Sequence, residues 1–311
     1  MEFYKIMNIK LLVIIGMSIT SIIWANSFFI TKNVSTILGP MTLCVIRFLI
    51  GIIPIYIYRV IKNDKEKIRE EDKKKFILLM LIGLPLYFYL INKASYGLSI
   101  KDSVALSAMQ SIIMLVAKSV FLGVSITPTK IMYVGIATIG AIITMDNMAI
   151  SAEGLVNHLL MFLATTLWVG YCIIILPFLK KYKITTIMYY QCLYSIPLMI
   201  PFLFLENNKW ASIGSIEIIH LLYIGVLCIS VGYTLNAFSL KYVGVLRTSL
   251  FLNIGPVLVI IVNKLYLNSK WLNDEVIGIT LIIIGIALAI KDMFRNKELQ
   301  EISNDEENKN R

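Results

Sequence analysis

The sequence predicts an all-α membrane protein whose ten transmembrane helices form two inverted five-helix repeats. Composition is the first reason: hydrophobic residues make up 58% of the 311-residue chain and charged residues only 15%, whereas soluble domains carry about 25% charged residues. The second reason is a succession of ten apolar runs joined mostly by short connections. The third is a correspondence between the two halves of the chain at an offset of 145 residues.

The apolar runs are long enough to be helices that cross a bilayer. A helix needs roughly 20 apolar residues to cross about 30 Å of hydrocarbon, and continuous runs are unlike the alternation of barrel strands. The fifth and tenth runs have only 15 residues, so flanking polar residues or local thinning must complete those crossings. In chain order the runs occupy residues 11–30, 41–58, 76–96, 103–123, 131–145, 155–178, 185–205, 218–240, 248–267 and 276–290.

The two halves of the chain correspond as inverted copies. Residues 1–150 form the first repeat, residues 151–291 the second, and residues 292–311 a polar tail that we expect to be disordered and cytoplasmic. Five spans per repeat turn the second copy upside down, and inverted repeats are typical of transporters with a substrate site between them. The residues that bound the fifth and tenth runs correspond with their charges exchanged: Lys130 and Asp146 against Glu275 and Lys291.

Lysine and arginine residues orient the predicted helices. With a cytoplasmic N-terminus, 21 of the 29 Lys and Arg residues lie in cytoplasmic segments, and four lie in external loops. Positive residues concentrate on the cytoplasmic side of membrane proteins. We therefore expect a multi-pass protein of the cell (inner or plasma) membrane with both termini cytoplasmic. The basic residues that give the net charge of +10 lie in short loops between apolar runs, so we expect no nucleic-acid partner.

Several short motifs follow one another in a recognisable order. Residues 24–28 (WANSF) are like W-G-x-N/S-F, and residues 43–49 (LCVIRFL) are like L-x-x-x-R-F/Y-L. Residues 223–227 (YIGVL), followed by Tyr233 and 237–241 (AFSLK), have counterparts in an eighth helix, 255–257 (GPV) in a ninth and 278–285 in a tenth. Over almost the whole chain, the sequence resembles the EamA-type branch of the drug/metabolite transporter superfamily. This resemblance implies a permease for small metabolites and favours export.

The sequence departs from the family pattern mainly in the first repeat. Val124 and Ser269 occupy positions where the family often ends its fourth and ninth helices with L-G-E. Ser111 replaces a proline of the fourth helix, and Tyr133 replaces a usual glycine. No role for those glutamates can therefore be assigned to this chain.

Cationic residues inside the predicted spans are the first candidates for substrate binding. A charge at the centre of a membrane helix costs about 2.5–3.5 kcal/mol on insertion scales, so each one needs an explanation. These side chains either extend to the lipid headgroups or face a cavity and bind a carboxylate or phosphate. No Asp or Glu lies deep in a span, which disfavours cation antiport and the efflux of lipophilic cations. The four residues are Arg47, Lys93, Lys118 and Lys264.

Polar and aromatic residues are the second group of candidates. Amide side chains can hydrogen-bond a solute or another helix, and aromatic side chains can line a pocket or face lipid. The candidate amides are Asn26, Gln110, Gln191, Asn236 and Asn253, and the candidate aromatics are Trp24, Tyr89, Trp168, Tyr171 and Tyr233. The four cysteines and two histidines show no disulfide or metal spacing, so we expect no metal, no cofactor and no catalytic site.

The sequence therefore predicts a transporter rather than an enzyme. Its substrate is predicted to be a small metabolite such as an amino acid, moved through the lipid bilayer by alternating access. A carrier of anionic metabolites is the alternative, in which the in-span cations supply the counter-charge. A membrane protein with a structural or signalling role is the alternative from another class. Both a monomer and a homodimer remain open.

Overall fold

The computed structural model describes residues 2–123, 125–146, 152–267 and 270–295, and these ranges contain helices and turns but no strand. Successive helices run in opposite directions and pack into one bundle. In chain order they are α1 (Glu2–Val34), α2 (Pro40–Ile61), α3 (Glu70–Gly97), α4 (Ile100–Leu122), α5 (Pro128–Ile143), α6 (Gly154–Lys181), α7 (Ile184–Met199), α8 (Ser215–Val243), α9 (Val245–Leu265) and α10 (Asn273–Arg295).

Eight of these helices are long and apolar enough to cross a membrane, namely α1 to α4, α6 and α8 to α10. This confirms the predicted multi-pass, all-α membrane protein. Helices α5 and α7 have 16 residues each, or about 24 Å, and the count of ten spans stays a prediction. Helix α7 ends at Met199, before the predicted limit of 205, and the chain continues as a 3₁₀ segment, Ile200–Phe204, which contains Pro201.

The start of α1 and the end of α10 lie on the same side of the bundle. The Lys10 ammonium, near the start of α1, lies 5.4 Å from the centre of the Phe294 ring, near the end of α10. Val13 and Met17 pack in one apolar cluster with Met293. We call this side the terminal side and the opposite side the far side. Helix α10 continues to Arg295, and residues 296–311 of the predicted disordered tail lie outside the described residues.

Corresponding helices of the two halves share the same irregularities. Helix α3 widens into a π-helical turn at Ile82–Leu86, around Pro85, and α8 contains a π-helical stretch at Tyr223–Gly232. The offset of 145 residues places the first of these segments inside the second. Helix α4 is interrupted at Met109 and α9 at residues 252–253, again at nearly corresponding positions. These interruptions allow the helices to bend around the centre of the bundle.

Helices α5 and α10 cross at glycines that correspond between the halves. A Cβ atom on Gly140 would lie 2.7 Å from the carbonyl oxygen of Gly278, and one on Gly285 would lie 2.8 Å from that of Tyr133. At the same offset Tyr133 corresponds to Gly278, and Gly140 to Gly285. The contact is therefore two-fold symmetric, and the two helices run antiparallel.

Each half also caps a helix of the other half. On the far side, Glu206 in the connection between α7 and α8 accepts hydrogen bonds from the backbone N–H groups of Met41 (2.9 Å) and Thr42 (2.8 Å), in the first turn of α2. On the terminal side, Glu66 between α2 and α3 accepts the N–H of Lys183 at 2.9 Å, immediately before α7. We call these contacts the exchanged caps. They satisfy N–H groups that have no partner within their own helices.

Candidate functional site

A cavity of about 100 Å³ lies between the two halves of the bundle. Helices α1 to α4 line it from the first half and α6, α8 and α9 from the second. Its α1 wall runs from Ser21 to Thr31 and its α3 wall from Tyr87 to Ser95, so it occupies the middle and the far half of the bundle. This volume accommodates several water molecules or a small organic solute.

Four aromatic side chains line the cavity near its terminal-side end, and we call them the aromatic floor. They are Trp24, Tyr87, Trp168 and Tyr233. Tyr87, Trp168 and Tyr233 are each the last lining residue of their helix in that direction. The Trp24 and Trp168 rings lie 5.5 Å apart between centres, Trp24 and Tyr233 5.4 Å, and Tyr87 and Trp168 5.3 Å. Such spacings are typical of favourable aromatic pairs.

Polar groups lie buried beneath the aromatic floor, outside the cavity. Tyr171 stacks on Trp168 with ring centres 5.2 Å apart and donates a hydrogen bond to the Gln191 carbonyl oxygen at 2.5 Å. The Gln191 amide nitrogen and the Asn236 side-chain oxygen are buried and have no hydrogen-bond partner among the described residues. Burying such groups unpaired costs free energy. A buried polar region therefore lies on the terminal side of the aromatic floor.

Arg47 supplies the positive charge of the cavity wall. It lies two turns from the capped start of α2 and is 5% exposed. Its Nη2 donates a hydrogen bond to the Thr31 hydroxyl at 3.1 Å, and its guanidinium lies 4.6 Å from the centre of the Phe88 ring. Its Nε has no hydrogen-bond partner within the described part of the chain.

The structure brings five of the predicted site residues together in the cavity wall: Trp24, Arg47, Gln110, Trp168 and Tyr233. Tyr171, Gln191, Asn236 and Asn253 are buried outside this wall. Ser111 donates a hydrogen bond to the Asn253 side-chain oxygen at 3.3 Å, which joins α4 to α9.

The other predicted residues do not line the cavity. Asn26 is exposed, and Lys93 is exposed with its ammonium 3.5 Å from the Tyr89 hydroxyl. Lys118 is half-buried and lies outside the wall. Periodicity cannot distinguish these faces, because in a membrane helix polar residues can face lipid headgroups as well as a cavity.

Lys264 has a carboxylate partner and lies outside the cavity wall. Its ammonium lies 2.5 Å from one oxygen of Glu275, and the Lys101 ammonium lies 2.9 Å from the other. Lys101 also pairs with Asp146 at 3.0 Å. The sequence predicts Lys264 as a counter-charge for an anionic substrate, but in the structure the Lys264 ammonium pairs with the Glu275 carboxylate. This cluster ties the two halves together on the far side.

Three residues near Arg47 escape the sequence-based prediction: Thr31, Phe88 and Asn92. Asn92 donates to the Pro40 carbonyl at 3.1 Å and to the Cys44 sulfur at 3.4 Å, so it holds α3 against α2. The sequence signal that could have identified the α3 residues is the spacing of Phe88, Asn92 and Ser95, which places them on one face of the helix. That face is buried although it carries polar residues.

Comparison with known proteins identifies the family. The sequence model of the EamA-like transporter family matches residues 11–145 and again residues 156–291. The chain belongs to the EamA-like transporter family. This EamA-like protein therefore contains two copies of the family repeat, at the offset seen in the sequence, and it is a membrane transporter of the drug/metabolite transporter superfamily.

One relative agrees with this assignment, and one solved structure has a similar fold. The EamA-like protein is 22% identical over 279 residues to an uncharacterized transporter from Archaeoglobus fulgidus, and the match covers 89% of this chain and 98% of the relative. A solved crystal structure superposes on this chain with a TM-score of 0.76 at 14% sequence identity. That superposition covers 94% of this chain and 98% of the other, and it shows the fold alone.

Proposed function

We propose that this EamA-like transporter moves a small metabolite, such as an amino acid, across the cell membrane by alternating access. The observation that carries the proposal is the cavity between the two family repeats, with the aromatic floor at its terminal-side end. A transporter needs a site that each side can reach in turn. The buried amides beneath the floor suit a path that opens in a second state.

In the proposed architecture, ten spans form two repeats of opposite orientation. Three features support the inversion: the antiparallel crossing of α5 and α10, the exchanged caps and the matching helix irregularities. One exchanged cap lies on the far side and its counterpart on the terminal side. If the repeats are related by a two-fold axis, a state open to one side and a state open to the other have equivalent helix packing. The substrate path can then close at either end.

Proteoliposome transport tests this proposal. The purified protein is reconstituted, and the uptake of labelled amino acids is measured against protein-free vesicles and under exchange conditions.

A disulfide between the two halves is a second test. A Cβ atom on Gly39 would lie 2.8 Å from the Cβ of Glu206, so cysteines at these two positions need only a small shift to form a disulfide. We expect oxidation to stop transport in this double variant and reduction to restore it. Full transport by the oxidised pair would contradict alternating access.

An anion carrier is the second candidate, and Arg47 is the observation that favours it. No carboxylate pairs with Arg47 among the described residues, and an anionic substrate would supply the missing charge. The same vesicles loaded with carboxylates or phosphorylated metabolites distinguish the two candidates. Exchange of carboxylates without exchange of amino acids would favour the anion carrier.

The proposed orientation places the terminal side in the cytoplasm. It rests on the excess of Lys and Arg in the connections of that side. Reporter fusions at both termini test it, since the two must report the same compartment. An external signal from either fusion would contradict the proposed topology.

A further inference from the structure

Arg47 is a buried positive charge without a negative partner in the described part of the chain. Its side chain is 5% exposed, and its polar contact is one hydrogen bond to the neutral hydroxyl of Thr31. Glu206 caps the start of the same helix, but its two oxygens accept the N–H groups of Met41 and Thr42. The guanidinium is therefore left facing the cavity with its Nε unsatisfied.

A charge in this position needs compensation. Removing a cation from water costs several kcal/mol unless an anion and hydrogen bonds replace the lost hydration. The other cations predicted as site residues do not share this condition. Lys264 has its partner in Glu275, and Lys93 is exposed. Lys118 also interacts with another residue, so it is not without a partner. The cavity thus carries one localised positive charge.

The surroundings of Arg47 restrict the chemistry of its partner. No Asp or Glu is among the residues that line the cavity. The aromatic floor begins next to the guanidinium, because Phe88 lies 4.6 Å from it and 5.0 Å from the Tyr87 ring. A matching ligand has one negative charge and an apolar group within a few ångströms of it. A phosphate dianion is a poorer match, since one guanidinium cannot neutralise two charges in an apolar wall.

We propose that Arg47 binds the carboxylate of a small organic carboxylate whose apolar group packs on the aromatic floor. This inference rests on the proposed transport function and names the group that the cavity recognises. Two N–H groups of a guanidinium match the two oxygens of a carboxylate. An amino acid and the corresponding oxo acid both carry this group, so each is a candidate ligand, whereas an amine without a carboxylate is not.

A series of three compounds with the same apolar group tests the assignment. They are L-leucine, 4-methyl-2-oxopentanoate and 3-methylbutylamine, and calorimetric titration of the full-length protein in detergent measures their affinities. We expect at least one of the carboxylates to bind at least about tenfold more tightly than the amine, as for a hydrogen bond between charged groups. Inorganic phosphate is the fourth probe and is expected to bind more weakly than the carboxylates. Equal binding of the amine, tighter binding of phosphate, or no binding of either carboxylate would overturn the proposal.

Variants of Arg47 separate recognition from folding. We expect R47Q to lower carboxylate affinity by at least about tenfold, and R47K to lose less, because lysine keeps the charge but not the two-pronged geometry. The matched control K93Q removes an in-span charge from outside the cavity and leaves affinity unchanged. Without ligand, R47Q unfolds at the same or a higher temperature than the wild type, because it removes an uncompensated charge.

The outcomes distinguish this inference from the proposed function. Carboxylate binding that depends on Arg47 without any transport would contradict the transport proposal alone. Unchanged carboxylate affinity in folded R47Q would overturn the inference and leave the transport proposal standing. If R47Q does not fold, the ligand series with the wild type and R47K decides. Equal affinity of R47K and the wild type for all four probes would then overturn the role of the guanidinium.

Discussion

The two family repeats share a framework but differ in the chemistry that they contribute to the cavity. Both have a widened third helix, an interrupted fourth helix and a fifth helix that crosses its counterpart at glycine. The position that corresponds to Arg47 is Cys192, which is buried and neutral. The first repeat thus supplies the cation of the wall, while the second supplies Trp168 and Tyr233 of the floor.

This difference separates two kinds of requirement. A transporter that opens to each side in turn works best if its two halves bend and pack alike. The same helix irregularities therefore recur in both halves. A small solute has distinct polar and apolar ends, so the wall that recognises it has no reason to be symmetric. We therefore expect paired substitutions in the framework to have equal effects, and substitutions at charged residues to have unequal ones.

The glycine crossing is the sharpest test of framework symmetry. A side chain at Gly140 or Gly285 would push against backbone carbonyls that cannot move away without separating α5 from α10. We expect G140L and G285L each to lower the free energy of unfolding by about 3 kcal/mol. Gly135 on α5 has open space around its Cβ position, so G135L is the matched control. Clearly unequal losses in G140L and G285L, measured by unfolding in detergent, would break the symmetry argument.

The far-side ion cluster tests asymmetry. Glu275 is 2% exposed and joins Lys101 of the first repeat to Lys264 of the second. We expect E275Q to cost about 2 kcal/mol, because it leaves two mostly buried ammonium groups without their shared carboxylate. Lys130 holds the corresponding position in the first repeat and pairs with no carboxylate in the described ranges. K130Q should therefore change stability by much less, and equal losses in thermal unfolding would contradict this contrast.

The smallest expected effect concerns Asp64, beside the terminal-side exchanged cap. Burial raises the pKa of Asp64, but hydrogen bonds from Lys183, the Glu66 N–H and Thr185, with the nearby charge of Arg59, hold it below its usual value. Its stabilising contribution is therefore complete above the unfolded-state pKa of about 3.9 and is lost as the pH falls through the lower folded-state pKa.

We expect D64N to cost about 1 kcal/mol at neutral pH, and the difference from the wild type to shrink as the pH falls below about 4. Unfolding curves measured between neutral pH and the lowest pH at which the detergent complex stays soluble test this. The far-side exchanged cap has no comparable contact with a side-chain cation among the described residues, because Glu206 there accepts hydrogen bonds from backbone N–H groups of α2. A difference that grew on acidification would contradict the role given to Asp64.

Much of the fold could be predicted because hydropathy directly reflects the bilayer. The apolar runs located the helices, although α10 begins at Asn273 and ends at Arg295, beyond its predicted run of 276–290. Acidic residues in a first turn interact favourably with the helix dipole, so a helix can continue past its apolar segment. The exchanged caps could not be predicted, because they join segments that are distant in the sequence.

The candidate site was predicted less completely. Arg47 was identifiable because a cation seven residues inside a span is costly wherever it faces. Lys264 looked equivalent in the sequence, and only the pairing with Glu275 distinguishes it. The aromatic floor required four helices to be placed around one point, and no periodicity in a single helix specifies that placement. Lys93 and Asn26 do not line this cavity, and a role for them in substrate binding stays a prediction.

The position of the aromatic floor gives the protein an optical signal of its own. The chain has four tryptophans. Trp24 and Trp168 form part of the floor, whereas Trp210 and Trp271 are more than half exposed at the far-side connections. A water-soluble quencher therefore reaches the second pair first and leaves emission dominated by the first. Occupancy of the cavity can be followed by that remaining fluorescence, without attaching a dye.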